Sequence, residues 1–109
     1  MNFLGLIQQG DVLFHGVEKL PDGLYPKKAF RPGRIVFAEG EATGHHHSCV
    51  ADGVELYEDA MGVIWCRVIK EATVTHQEHK PVTLPPGNYM VGIVREYDPF
   101  AEEIRRVRD

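Results

Sequence analysis

Short runs of apolar and β-branched residues recur along the chain, and turns rich in glycine and proline separate them. Turn signals at intervals of about eight to twelve residues are typical of all-β domains. An amphipathic segment of helical period does not run through the body of the chain. The predicted strands cover residues 11–17, 34–39, 45–51, 54–57, 63–69, 72–76 and 88–97. The pattern therefore predicts an all-β fold, a small barrel or a sandwich.

The connections are predicted from the positions of glycine and proline. Residues 18–33 contain three prolines and predict a long loop. Asp52-Gly53 predicts a two-residue hairpin that pairs the strands on either side of it. Residues 80–87 also contain three prolines and are expected to leave the sheet. Residues 99–108 follow a helix-capping Asp-Pro pair and predict a short helix, with a closing hairpin strand as the alternative.

A set of large apolar strand residues is expected to form the core. Its predicted members are Phe14, Phe37, Ile64, Trp65, Val68, Val91 and Ile93. His15 and Cys66 lie within apolar strands, so both are interpreted as core residues as well, Cys66 as a small hydrophobic side chain.

Length and composition indicate one ordinary globular domain over residues 1–109, with 43% hydrophobic and 26% charged residues. The net charge of −4 argues against binding along a nucleic-acid backbone, which normally needs a basic face. We see neither a signal peptide nor an apolar run of the roughly 18 residues that span a membrane. We therefore expect a cytoplasmic protein whose two cysteines form no disulfide framework.

Three consecutive histidines follow a glycine-bearing turn. Because alternate residues of a strand face the same way, His45, His47 and Cys49 are expected on one face, and His46 and Ser48 on the other. Residues two apart on a strand have α-carbons roughly 6–7 Å apart. Two imidazoles at that spacing can converge on one ion at nitrogen distances of about 2.0–2.1 Å. The spacing therefore predicts part of a metal site.

A second histidine cluster, Thr75-His-Gln-Glu-His79, lies about thirty residues downstream. Pro81 predicts an irregular end to the preceding strand, which would allow both histidines of the cluster to turn inward. Glu78 is a candidate ligand, outer-shell partner or general base, and it is the predicted catalytic residue. The predicted metal ligands are His45, His47 and His76, with His79 as a fourth candidate. Zinc is the expected ion, and iron, manganese or nickel are the alternatives, particularly if Cys49 stays outside the site.

The chain resembles the cupins, a family of small β-barrel proteins. Their first motif runs glycine, His-x-His, glutamate and glycine, and Gly40, His45, His47, Glu55 and Gly62 follow that order. Their second motif begins Pro-x-Gly, as residues 85–87 do, but no third histidine follows, so His76 or His79 would have to replace it. The interval from His47 to Glu55 is also too long. The chain is similar, too, to small uncharacterised bacterial and phage proteins.

The resulting hypothesis is a small β-barrel that binds a divalent transition metal and performs metal-dependent chemistry on a small molecule, through an open coordination position. Metal-free acid–base or nucleic-acid chemistry is one alternative. The other is a non-enzymatic binding or accessory module with structural or surface histidines, for which a homo-oligomer is one arrangement. A closed shell of four ligands would favour that structural role.

Overall fold

The computed structural model describes residues 2–27, 33–39 and 45–94, and these residues form ten β-strands and no helix. The strands are, in chain order, β1 (Leu6–Gln9), β2 (Val12–Val17), β3 (Tyr25–Pro26), β4 (Arg34–Glu39), β5 (His46–Val50), β6 (Val54–Glu58), β7 (Ile64–Val68), β8 (Ala72–Val74), β9 (Val82–Leu84) and β10 (Gly87–Ile93). The prediction of an all-β fold is confirmed. The predicted C-terminal helix lies outside the described residues.

Six strands form the larger sheet, in the order β1-β2-β10-β7-β6-β3. All of its neighbours are antiparallel. Strand β2 shows why one face turns inward: Val12 and Phe14 are fully buried, whereas His15, between Phe14 and Gly16, is exposed. This alternation is that of a strand covered on one side only.

The smaller sheet consists of two hairpins, β4-β5 and β8-β9. Main-chain hydrogen bonds in both directions between Ser48 and Thr75, at 3.1 and 2.7 Å, join β5 to β8. The four strands therefore follow the order β4-β5-β8-β9, all antiparallel.

The core lies between the two sheets. Phe14 of the larger sheet packs edge to face on Phe37 of the smaller one, with ring centroids 5.1 Å apart. Val74, Leu84 and Tyr89 are completely buried in the same cluster. Strands β1 and β9 are in contact, but no main-chain ladder joins them among the described residues. The fold is thus a sandwich, and the barrel alternative is wrong.

Several local predictions are wrong for one reason, which is that pairing depends on distant strands. The Asp52-Gly53 turn does not form a hairpin, because β5 pairs with β4 and β6 with β7, so this turn carries the chain between sheets. Residues 82–84 do form a strand, because the prolines flank the ladder instead of interrupting it. Strand β1 was not predicted, and neither was the short β3 inside the loop 18–33.

The predicted core is partly correct. Phe14, Phe37, Val68 and Val91 are buried. Trp65 and Ile64 are only half-buried, and Ile93 is 41% exposed. The Trp65 indole lies over the outer face, where its Nε1–H donates to Asp59 Oδ2 at 3.2 Å. Cys66 is a fully buried core residue as predicted, whereas His15 is exposed and the prediction for it is wrong.

Candidate functional site

Three segments that are distant in sequence meet where β1 approaches β9. They are the turn between β1 and β2, the beginning of β5, and the connection from β8 to β9. The first contributes Gln9 and Asp11, the second His45 and His47, and the third the cluster at residues 76–79. The fold therefore brings together the two histidine clusters that the sequence singled out.

The connection from β8 to β9 is held in place by polar contacts along its length. At its start, Thr75 pairs with Ser48. In its middle, the Gln77 side-chain oxygen accepts a hydrogen bond from the main-chain N–H of His46 at 2.9 Å. At its end, the Gln9 carboxamide donates to the Lys80 carbonyl at 3.0 Å. These contacts fix the loop that carries His76 and His79.

Four imidazole rings form a continuous group. The centroid of the His76 ring lies 4.4 Å from that of His47, 4.6 Å from that of His79 and 5.6 Å from that of His45. The His47 and His79 rings are stacked, 5.9 Å apart. His47 is 2% exposed, whereas His79 is an exposed residue. The group therefore extends from the edge of the core out to solvent.

Gln9 determines which nitrogen of His47 carries a proton. Gln9 is 2% exposed, and its Nε2 amide donates to the carbonyls of Val74 at 2.9 Å and Lys80 at 3.0 Å. Both amide hydrogens are then used, so Oε1, 2.8 Å from His47 Nδ1, must accept. His47 Nδ1 consequently bears a hydrogen, and in the neutral ring Nε2 carries the lone pair. An imidazole fixed in this way is the usual form of a histidine metal ligand.

Gly10 allows the turn to lie against the histidines. The turn from Gln9 to Val12 has a positive φ of 58° at Gly10 and none at Asp11, as in a type II′ hairpin. A Cβ atom at Gly10 would lie 2.5 Å from His79 Nε2. The backbone conformation therefore favours glycine here, and a Cβ atom would also displace the His79 ring.

Glu78 lies at the exposed side of the group. Its carboxylate Oε1 is 3.7 Å from His45 Nδ1, and its side chain is 68% exposed. Its main-chain N–H donates to His76 Nδ1 at 3.0 Å, so the neutral His76 ring carries its hydrogen on Nε2. His76 thus presents the opposite tautomer to His47.

Two of the imidazoles are biased towards the neutral form. Burial lowers the pKa of His47, and the neighbouring His76 lowers it further, against an opposing effect of Asp11. The pKa of His76 is lowered by desolvation and then by His79 and His45. Because only a neutral imidazole can ligate a metal or accept a proton, both rings are suited to either role near neutral pH.

Other sequence candidates lie elsewhere. Cys49 is completely buried in the core, where burial raises the pKa of its thiol to about 11. Glu55, which corresponds to the cupin glutamate, is exposed on β6, 3.7 Å from Arg67. Within the described ranges 2–27, 33–39 and 45–94, no three His, Cys, Asp or Glu side chains are arranged to hold a metal ion as they stand.

Sequence reasoning missed Gln9 and Asp11, although the structure places both beside His47. The signal was present: Leu6–Gln9 and Val12–Val17 are separated by the two residues Gly10-Asp11, a spacing that predicts a hairpin. Recognition of that hairpin would have placed a carboxylate and a carboxamide at one end of a ladder. It would not have placed them beside the histidines, because that contact is between sheets.

Comparison with known proteins assigns a family. A family model described as a domain of unknown function, DUF8820, matches residues 8–94. The chain belongs to DUF8820. The match includes every residue of the histidine group and both Gln9 and Asp11, so the site lies within the DUF8820 domain itself. No cupin family matches the chain. No curated protein and no solved structure matches it either. In the described part of the chain, no helix has the length and apolarity needed to cross a membrane.

Proposed function

We propose that this protein binds one divalent transition-metal ion, zinc in the first place, through His45, His47 and His76, with His79 as a fourth candidate ligand. The observation that carries the proposal is the locked tautomer of His47, which directs an unprotonated nitrogen away from Gln9 and has a rigid, buried support. Such support is typical of metal-ligating histidines, whose second ring nitrogen donates to a carbonyl or carboxylate.

The spacing of the rings supports the same proposal. An imidazole that ligates at about 2.0–2.1 Å has its centroid about 3.2 Å from the ion, so two ligating rings have centroids roughly 4.5–5.2 Å apart for bond angles between octahedral and tetrahedral. Three of the observed separations, 4.4, 4.6 and 5.6 Å, lie in or near this range. The 5.9 Å separation of His47 and His79 lies outside this range, so the exposed His79 ring would have to rotate to ligate the same ion as His47.

Ion binding would require one identifiable rearrangement. His76 Nδ1 accepts the main-chain N–H of Glu78, which leaves a hydrogen on Nε2. His76 must therefore give up that bond before either of its ring nitrogens can ligate. This requirement agrees with the lack of a three-ligand arrangement in the described residues, and it identifies His47 as the preformed part of the site.

With three protein ligands and an open position, the ion would polarise a small-molecule substrate or activate water. Glu78 is then the proposed general base, since its carboxylate is exposed and lies next to the ligand His45. The cupin resemblance points to the same class of chemistry, although here the third histidine would come from the β8–β9 connection.

The test is metal content in protein that was purified without an affinity tag. We expect close to one equivalent of zinc or another transition metal by elemental analysis, and loss of it in His47→Ala. His15→Ala is the matched control, because His15 is exposed on the outer face of the larger sheet. Full retention of metal by a His45→Ala, His47→Ala double variant would refute the proposal. Once a substrate is known, Glu78→Gln should reduce turnover far more than metal content.

A non-enzymatic binding module is the second candidate, and a different observation favours it. The outer face of the larger sheet carries a cross-strand row in which His15 pairs with Met90, Met90 with Trp65 and Trp65 with Tyr57. Met90, Trp65 and Tyr57 are half-buried, so each leaves part of its apolar surface open to a partner. For a homo-oligomer, sedimentation should show self-association that Trp65→Arg abolishes, and a monomer at all concentrations would exclude it.

A further inference from the structure

The turn between β1 and β2 places a carboxylate opposite the open nitrogen of His47. Asp11 Oδ1 is 3.5 Å from His47 Nε2, on the side of the ring away from Gln9. The Asp11 side chain is 56% exposed, while that of His47 is 2% exposed. The carboxylate is therefore accessible from solvent, and the imidazole behind it is fixed.

Two acceptors face each other across this gap. Because Gln9 takes the Nδ1 hydrogen, Nε2 of the neutral His47 ring has only a lone pair to offer, and an ionised carboxylate has no hydrogen to donate. Such an arrangement is unfavourable unless a positive charge lies between the two atoms. That charge is either a proton on Nε2 or a metal ion that both atoms ligate.

The separation of the two atoms fits a shared ion. Zinc has its nitrogen ligands at about 2.0–2.1 Å and its carboxylate oxygens at about 2.0–2.2 Å, so a nitrogen and an oxygen ligand in tetrahedral geometry lie about 3.4 Å apart. The observed 3.5 Å matches this edge. A direct charge-assisted hydrogen bond between nitrogen and oxygen would be about 2.7–2.9 Å long, which is clearly shorter.

We propose that Asp11 is a ligand of the metal ion bound by the histidine group and forms, with His47 Nε2, its preformed pair of ligands. This inference rests on the proposed metal binding and gives one place in the shell to an oxygen ligand, so that Asp11 and His47 need only one further imidazole to leave a four-coordinate ion with an open position. The added carboxylate neutralises one charge of the ion. A mixed nitrogen and oxygen shell suits zinc or iron(II), and it disfavours copper(I), which prefers soft sulfur ligands.

Asp11 can be changed without loss of the turn that carries it. Its main-chain carbonyl, not its side chain, accepts the Val94 N–H at 2.7 Å, and the positive φ of the turn belongs to Gly10. Asp11→Asn keeps the shape of the side chain and removes its charge. The matched control is Asp52→Asn, an exposed aspartate in another turn, 3.3 Å from Lys70.

The experiment is a titration of tag-free, chelator-treated protein with Co(II), followed by its visible absorption and by competition with a chelator of known affinity. We expect the wild type and Asp52→Asn to bind one Co(II) with the intense bands of a four-coordinate site. Asp11→Asn should bind more weakly by at least the 10- to 100-fold that loss of an outer-shell partner causes, with altered bands. Its metal-free melting temperature should not fall below that of Asp52→Asn, because an asparagine amide can donate to His47 Nε2.

Different results would refute the proposed function and the assignment of Asp11. If the wild type binds no Co(II), the proposed function itself is wrong, and the assignment of Asp11 falls with it. If the wild type binds but Asp11→Asn has the same affinity and spectrum, metal binding stands and Asp11 is not a ligand. In that case the carboxylate pairs only with a protonated His47.

Discussion

Replacement of Gln9 by leucine tests the structural basis of the site most directly. The change keeps the approximate size of the side chain and removes all of its polar atoms. In the wild type these atoms make three hydrogen bonds, to the carbonyls of Val74 and Lys80 and from His47 Nδ1. We therefore expect Gln9→Leu to loosen the β8–β9 connection and to free the His47 ring.

The expected loss of stability follows from these three bonds. A hydrogen bond contributes about 0.5–1.5 kcal/mol net, and a buried group left without a partner costs about 1–3 kcal/mol. Two factors reduce the loss of stability. The Lys80 carbonyl is only partly buried and can bond to water, and the leucine side chain gains some apolar burial. We expect a loss of about 3 kcal/mol, a large share of the roughly 5–15 kcal/mol that stabilises a domain of this size.

Urea unfolding of metal-free protein measures this loss. With an m value of about 1.5 kcal/mol/M, 3 kcal/mol lowers the midpoint by about 2 M. Gln8→Leu is the matched control, because Gln8 is exposed and its one side-chain hydrogen bond within the described ranges is to the Gly10 carbonyl. Its effect should stay within about 0.5 kcal/mol, as for most surface substitutions. A Gln9→Leu variant as stable as Gln8→Leu would refute the reasoning.

The tautomer of His47 provides a second readout that stability alone would not change. In the wild type, nitrogen NMR should show the hydrogen of neutral His47 on Nδ1. In Gln9→Leu this preference should be lost, because no acceptor remains opposite Nδ1. An unchanged tautomer in the variant would show that something other than Gln9 orients the ring.

Three further predictions follow from the same structure. Gly10→Ala should destabilise the protein by about 1–2 kcal/mol or more because of the positive φ at this position, and by a further amount because the new methyl group contacts His79. Gly62→Ala, where no atom lies within 4 Å of the new methyl group, should show the backbone effect alone, so equal melting temperatures of the two variants would contradict this. Metal-free protein should lose stability as pH falls below about 6.5, because the pKa of His47 is lowered in the folded state and the unfolded chain therefore binds the proton first. Melting temperatures that stay constant from pH 8 to 5 would contradict this prediction. Trp65→Ala should cost less than the roughly 3–5 kcal/mol of a buried aromatic residue, because its ring is half-buried, and a larger loss in urea unfolding would place it in the core.

The local pattern of the sequence determined the fold class and most strands. Val12 and Phe14, two positions apart on a predicted strand, lie on one face, and the run at residues 63–69 contains β7. Period-2 alternation is a property of neighbouring residues, so it can be recognised without knowledge of the partner strand. Alternation also predicted that His45 and His47 share a face, and the residue types of the second cluster made the two clusters candidates for one site.

The tertiary structure alone decided which strands pair and what lies beside the histidines. The Asp52-Gly53 turn connects two sheets instead of two paired strands, and no local signal separates these cases. Likewise, Gln9 reaches Val74 and Lys80 only because β1 and β9 meet at the edge of the sandwich. These contacts join residues about 65–71 positions apart. They depend on how the apolar faces of the two sheets pack, which is a property of the whole chain.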